Sequence, residues 1–469
     1  MSTAMLDQHA TDDLRATMRG TVIRPGDPGY DEARACFNAM VDRHPAAIAH
    51  CTCPEDVMAA LELARARDLE LTVRAGGHSV AGMSMCDGLV IDVRGMKEIT
   101  VDPRGRRVRV GAGCTWAEVD RATQEHGLAT TGGRVSTTGV AGLTLGGGSG
   151  WLERKHGLTC DNLLAAEMVT ADGRLVTASE RENPELLWAL RGGGGNFGVV
   201  TAFEFALHEV GPLAQLGLFF WAVDQGVEAL RFCREYIAGL PDDAGVLLAG
   251  LSAPPEPFVP DEHQLCDGFA LVVATWGSTE EHAELVRPVR EQMPGLFDLV
   301  TPIPYTELQQ MFDEGNEWGT YGYEKGLYVD DLSDAVIEVL VEHLPRKSSP
   351  LSFVPGFALG GAFARAGDDD TAFGGRRSTR YAFSIAAICP APELLEADRR
   401  WVRAFWEALR PHTGGPAGYV NFMTEIEEDR VRAAYGAAKY ERLARIKADY
   451  DPDNLFHHNA NIRPAVAHA

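Results

Sequence analysis

A chain of 469 residues with 43 basic and 67 acidic side chains carries a formal net charge of −24, a field that repels phosphate backbones and argues against a nucleic-acid partner. Hydrophobic residues at 45% and charged residues at 23% exclude a largely disordered chain, and 50 Gly with 25 Pro in no fixed period exclude a fibrous one. No apolar run reaches the roughly 18–20 residues of a membrane helix, and the first twenty residues lack a basic segment followed by an apolar one, so a cytoplasmic protein of two or three domains with no membrane partner is expected.

In chain order, the apolar piece AAIAHC leads to Pro54-Glu55-Asp56, a favourable first helical turn, with the helix running through VMAALELARARD. LELTVRA then reads as a strand entering the glycine-rich turn at Gly76-Gly77. GLVIDV and RVRVGAG read as further strands, and WAEVDRATQEHG as a helix closed by a glycine. The composition changes near Gly211-Pro212. Beyond it come longer strand-like runs (LGLFFWAV, GVLLAGL, FALVVATWG), the amphipathic helix DDLSDAVIEVLVEHL and the Pro-rich loop APPEPFVPDE. These read as an antiparallel sheet backed by helices. A last helix, EEDRVRAAYGAAKYERLARIKADY, precedes the tail NLFHHNANIRP.

The familiar catalytic motifs are mostly missing. There is no GxxxxGK[ST] and no HExxH, and the nine scattered cysteines contain no CxxC, so no metal site is expected and free thiols are the default. Gly193 to Gly198 matches GxGxxG as a string. It runs into the strand-like VVTAFEF, whereas a dinucleotide fingerprint must open a helix. Three glycine-rich places remain: Gly76-Gly77, Gly142 to Gly150, and Gly192 to Gly198. One alone reads as a tight turn; three in one alternating domain point to backbone cradling of a large anion such as a dinucleotide pyrophosphate. His78 sits in the first, behind Arg74. His457 and His458 are adjacent on an extended tail and point apart, so they are not read as ligands.

The strings VRAGGHSVAGMSMCDGLVIDV, TTGVAGLTLGGGSGWLERKHGLTCDNLLAAEMVTADG, ELLWALRGGGGNFGVVTAFEF and the tail YERLARIKADYDPDNLFHHNANIRP resemble the berberine-bridge-enzyme-like oxidases of the vanillyl-alcohol-oxidase (PCMH-type) flavoprotein superfamily, with bacterial members most similar in layout. The resemblance implies an α+β fold: a PCMH-type FAD-binding domain of two α/β subdomains at 20–210, an antiparallel-sheet substrate domain backed by helices at 211–415, and a segment at 416–469 completing the FAD domain. It implies FAD bound covalently through His78. Many members add a cysteinyl bond where Val135 stands here, so a single bond is expected. The implied cradle is Arg74, Ala75, Gly76, Gly77, Ser79, Thr137, Thr138, Gly142, Gly146, Gly147, Gly148, Gly150, Asp161 and Asn162. Val199 and Val200 pass near the adenine side, and Asn459 and Asn461 close over the flavin.

A plant-type family base is a tyrosine two residues after Val420; here Phe422 stands there. The expected proton acceptors are therefore Tyr419, Tyr321 or Tyr323, the last with Lys325 nearby to lower its pKa, while Glu425 is read as solvated. Trp276, Trp318, Phe353 and Phe357 are expected to line an apolar substrate pocket or to pack in the core. The implied function is an FAD-dependent oxidase that takes hydride from a C–H next to an alcohol or amine of a small molecule and is re-oxidised by O2 to give H2O2. A dehydrogenase with another electron acceptor, or a flavin-loaded binding protein with lapsed catalysis, is the alternative. The sequence leaves the oligomeric state open.

Overall fold

The computed structural model describes residues 6, 8–413, 418–425 and 428–466. The expected early helix is Pro54–Ala66, with Pro at its first turn and Glu55 and Asp56 at its positive end. It packs on a four-stranded sheet ordered Thr21–Ile23, Ala47–His50, Leu89–Asp92, Leu71–Arg74, whose last three strands are parallel. A second sheet has five antiparallel strands, ordered Ile99–Asp102, Arg107–Gly111, Gly198–Ala206, Leu163–Thr170, Leu175–Ser179. The GxGxxG string does run into a strand, Gly198–Ala206.

One hydrophobic core joins both sheets and reaches across the sequence. It contains Leu14 and Met18, ahead of residue 20, and Tyr440, Leu443, Ile446, Phe456 and Ile462 from the C-terminal segment. The polypeptide between them folds as a seven-stranded antiparallel sheet, ordered Phe297–Pro304, Leu213–Ala222, Asp267–Thr275, Gly245–Ser252, Val354–Ala358, Tyr381–Cys389, Tyr321–Val329. The expected junction at 415/416 lies outside the described residues.

Strand alternation gives that sheet two faces. Phe219, Trp221, Leu271, Tyr323, Phe383 and Ile385 pack against the helices Gly226–Ala238, Thr279–Gln292, Asp334–His343 and Pro392–Leu409. Leu216, Leu247, Val272, Phe357 and Ala382 face the first module and pack with its Trp151, Leu158 and Cys160. Polar tethers fix this approach. Ser136 donates to Asp313 from its amide and hydroxyl (2.7 and 2.5 Å), Gln309 Nε2 donates to Asp120 (3.0 Å), and Arg377 grips Asp161 with two bonds (2.8 and 2.6 Å). Among the described residues no helix is long and apolar enough to cross a membrane.

The C-terminal segment is held by a fully buried ammonium. Lys447, in the helix Ala437–Tyr450, donates to Asp451 (2.5 Å), to the Asn196 carbonyl (2.7 Å) and to the Phe456 carbonyl (2.9 Å). All three donors are used, and Asp451 also accepts the amides of Leu455 and Phe456 (2.8 and 2.9 Å). Replacing Lys447 by Met would strand that carboxylate in the core. A stability loss of about 3–5 kcal/mol is expected, the scale for breaking a buried pair on one side. A lowered urea midpoint would register it; a change under ~1 kcal/mol would show that the pair is not the anchor.

Candidate active site

The glycine-rich segments converge on a cavity of about 400 Å³. Its wall is the turn after the strand Leu71–Arg74, the short helix Val140–Leu145 running into Gly146, the Gly194-Gly195 turn, and the tail at Phe456 to Ala460. The first two meet backbone to backbone: a Cβ at Gly76 would lie 2.3 Å from the Gly139 nitrogen, so neither position has room for a side chain. Gly77 has φ +71°, which frees the next peptides to turn inward. The amides of Gly76 to Val80 donate no hydrogen bond to any described residue, the makings of an anion-binding nest. Gly142 and Gly195 are different, because a Cβ there would meet nothing within 4 Å; the space beside them belongs to the cavity. The buried Asn459 Oδ1 also lacks a partner among the described residues.

His78 stands on this wall between two aromatic rings. It stacks on Phe37 (centroids 4.3 Å apart) and meets the edge of Trp318, while its Nε2 is 2.8 Å from the Thr137 hydroxyl. Burial without a compensating anion lowers its pKa to about 4. The ring is therefore neutral and keeps a nucleophilic lone pair at neutral pH.

Of the expected cradle, Ala75, Gly76, Gly77, His78, Ser79, Thr138, Gly142, Gly146, Val200 and Asn459 line the cavity, and Thr137 reaches it through His78. The others do not line it. Arg74 supports the turn from behind, donating to the Ala33 and Ala35 carbonyls. Gly147 packs on Phe373, Gly148 on Thr159 and Gly150 on the Gly132 carbonyl. Asp161 is consumed by Arg377, and Asn162 bonds His208 and the His156 and Leu158 carbonyls. Val199 pairs with Val169 and points to the core, one residue out of phase with Val200. Asn461 Oδ1 is buried without a partner among the described residues but lies off the wall. His458, set aside in the sequence, does line the cavity and bonds the Met85 carbonyl (2.9 Å); His457 turns away to the Asn454 carbonyl.

A second cavity of about 200 Å³ lies between the first module and the seven-stranded sheet. The two cavities share Phe37, Val80, Thr138, Leu143, Asn316, Glu324, Asn421 and Phe422 as a common wall. The smaller one is mainly apolar, with the aromatic rings of Phe312, Phe353, Phe357 and Tyr419 among its lining, and Val135 also lines it. Trp318 instead sits beside His78, and Trp276 bonds the Asp243 carbonyl away from both cavities. Arg134 is neutralised by Glu153 (2.9 Å) and stacks over Phe357 (4.5 Å).

Of the tyrosines expected as proton acceptors, Tyr323 and Tyr419 are among the residues lining the smaller cavity, each with its hydroxyl already hydrogen-bonded, and Tyr321 is not. In the strand Tyr321–Val329, Tyr321 and Tyr323 share the face that carries Lys325, toward the helix Pro392–Leu409. The Tyr323 hydroxyl donates to Glu425 (2.8 Å) and accepts from Arg403 (3.1 Å). Its pKa is raised, first by burial, so Lys325 does not favour a phenolate. Lys325 bonds Glu425 instead (3.1 Å). Glu425 is no solvated group: burial works to raise its pKa, but hydrogen bonds from Arg403, Tyr323 and Lys325 outweigh it and hold the carboxyl at about 2. Tyr419 does border the smaller cavity. Its hydroxyl accepts from the Gly148 amide (2.8 Å) and Asn421 Nδ2 (2.9 Å), and burial pushes its pKa well up, which makes it a pin between modules.

The side chain that sequence reasoning missed is Glu324, the one carboxylate among the described residues lining both cavities. The signal was present in the alternation of Gly322-Tyr323-Glu324-Lys325-Gly326: whatever face takes the tyrosines, the glutamate takes the other. Ser384 Oγ donates to its Oε2 (3.2 Å), and burial raises its pKa to about 7.

Comparison with known proteins agrees with this layout. Residues 45–179 match the family model for an FAD binding domain, and residues 418–463 the model described as berberine and berberine like. An FAD-linked oxidoreductase of Dictyostelium discoideum is 31% identical, with 96% of this chain and 95% of that protein aligned. The crystal structure of 6-hydroxy-D-nicotine oxidase from Arthrobacter nicotinovorans superposes with a TM-score of 0.84 at 27% identity, over 96% of this chain and 98% of that one. The structure of a glucooligosaccharide oxidase from Acremonium strictum, described as carrying 6-S-cysteinyl, 8α-N1-histidyl FAD, superposes with a TM-score of 0.85 at 22% identity, over 97% and 100%.

The amide nest, the free Asn459 oxygen and the open glycine faces fit an FAD in the larger cavity. A methyl group at position 142 separates folding from loading. Gly142→Ala lies in a helix, so the flavin-free fold should gain up to ~1 kcal/mol. The purified protein should meanwhile carry visibly less flavin, read from the ratio of flavin to protein absorbance.

Proposed function

The chain belongs to the berberine-bridge-like family of FAD-linked oxidoreductases, and we propose that it is an oxidase of a small, aromatic or otherwise apolar alcohol or amine, with FAD held through one covalent bond to His78. The carrying observation is the shared wall: a cavity fitted to the cofactor lies against an apolar pocket, with Glu324, Asn421 and Phe422 lining both. Bound there, FAD would supply a two-electron acceptor for hydride from the substrate carbon, re-oxidised by O2 to give H2O2.

The protein's own part is to bind, orient and exclude water. Gly76 to Ser79, Thr138, Gly142, Gly146 and Asn459 would hold the cofactor, the amide nest meeting its pyrophosphate. His78 is neutral, and Thr137 engages its Nε2, so Nδ1 is the nitrogen left for attachment. Val135, on the edge of the smaller cavity, offers no thiol for a second bond. The aromatic walls accept a flat apolar body, and the small set of polar groups fixes which end faces the cofactor.

Acid precipitation should leave a yellow pellet, and a flavin-bearing peptide should contain His78 and no cysteine. His78→Ala should release all its flavin on denaturation. Anaerobic mixing with a panel of aromatic alcohols, amines and sugars should bleach the flavin with an aromatic member fastest. Admitting air should restore the absorbance and produce one H2O2 per turnover. Restoration only by an added electron acceptor would make the protein a dehydrogenase, and bleaching by no compound would remove the enzymatic reading.

A further inference from the structure

We infer that Glu324 is the catalytic base, accepting at its carboxylate the proton of the substrate's hydroxyl or amine; the assignment rests on the oxidase reading above. The geometry comes from the strand Tyr321–Val329. Gly322, Glu324 and Gly326 share the strand face opposite Tyr323 and Lys325, Glu324 lines both cavities, and the residue opposite it on the neighbouring strand is the small Ala386. Phe422 closes over Gly326, with its Cβ 2.8 Å from where a Gly326 Cβ would stand. The carboxylate thus stands in the wall common to both cavities, where a substrate in the smaller one would face a cofactor in the larger.

Its surroundings leave it available. Ser384 Oγ is its one hydrogen-bond partner among the described residues, on Oε2, so Oε1 is free to receive a proton. Among the described residues no ion pair holds it. The charged and titratable groups around it are otherwise engaged: His78 with Thr137, Arg134 with Glu153, Tyr419 with Gly148 and Asn421, and Tyr323 and Lys325 behind the strand with Glu425. A carboxyl raised to about 7 by burial is half ionised at neutral pH, the poise that suits a general base.

The step balances without another reactant. The substrate O–H (or N–H) bond breaks and a Glu324 Oε–H bond forms. The electron pair left behind becomes the second bond of C=O (or C=N) as the C–H pair departs with hydride to FAD. Glu324 then returns its proton to water.

The test uses the holoenzyme with benzyl alcohol and benzylamine as probes. Titrating the oxidised flavin's absorbance from pH 5 to 9 should show a transition near pH 7 in the wild type that is lost in Glu324→Gln. Anaerobic flavin reduction should accelerate as pH rises through that transition. In Glu324→Gln it should fall by roughly 10²-fold or more and lose the pH dependence. Glu324→Asp should keep the dependence at an intermediate rate, and Ser384→Ala should move the midpoint upward, because it removes a bond to the charged form. A transition that persists in Glu324→Gln, or a reduction rate within threefold of wild type, overturns the assignment while leaving the oxidase reading intact. Wild-type flavin that neither probe reduces counts against the aromatic-substrate reading, and the titration still decides Glu324.

Discussion

The tail side of the larger cavity leans on one buried ammonium. Lys447 ties its own helix to Asp451, to the Asn196 carbonyl at the third glycine-rich turn and to the Phe456 carbonyl on the tail. Asn196 extends the link, donating to the Ala460 carbonyl (3.1 Å) and accepting the Ile462 amide (3.0 Å). Two stretches more than two hundred residues apart in sequence are thereby fixed edge to edge, and Asn459, between them, is held over the cavity. A charge fully removed from water tolerates little displacement, since every ångström lost from its acceptors exposes an unpaid desolvation. Rigidity there is what lets loops rich in glycine keep one shape.

The second organising constraint is the pleat of the seven-stranded sheet. Its helix-covered face is a core, while its other face is only partly filled by the first module, and the smaller cavity is what remains. Because successive side chains go to opposite faces, one strand serves two environments: Tyr323 and Lys325 join a charged cluster around Glu425, and Glu324, bonded by Ser384, stands among mainly apolar walls. The same carboxylate chemistry is thus held at about 2 in one place and near 7 in the other, by neighbours in the first case and by their absence in the second.

This division explains what could be read in the sequence. The three glycine clusters, His78 and the tail signature are local strings, and the structure brings Gly76-Gly77, Gly142, Gly146, Gly194-Gly195 and Asn459 to one cavity. Expected cradle positions that lie off the cavity wall, such as Asp161 and Asn162, are bonded by partners farther along the chain, Arg377 and His208, which no local pattern announces. The tyrosines were attractive for their chemistry, but the strand's face assignment is decided by the helix packed behind it. Glu324 was legible as an ionisable residue in an otherwise strand-like run; which cavity it would face was not, because that depends on the docking of two modules.

The tail's position bears on how the protein is made. Phe456, His458, Asn459 and Ala460 follow in sequence all the other residues that wall the larger cavity. During synthesis the glycine-rich turns, the helix Val140–Leu145 and the whole seven-stranded sheet can be assembled while that side still gapes. The cofactor's chamber is completed only when the helix Ala437–Tyr450 and the stretch beyond it have emerged and Lys447 has found its acceptors. Closure of that cavity therefore waits on the last part of the chain to be translated, after the seven-stranded sheet rather than alongside it.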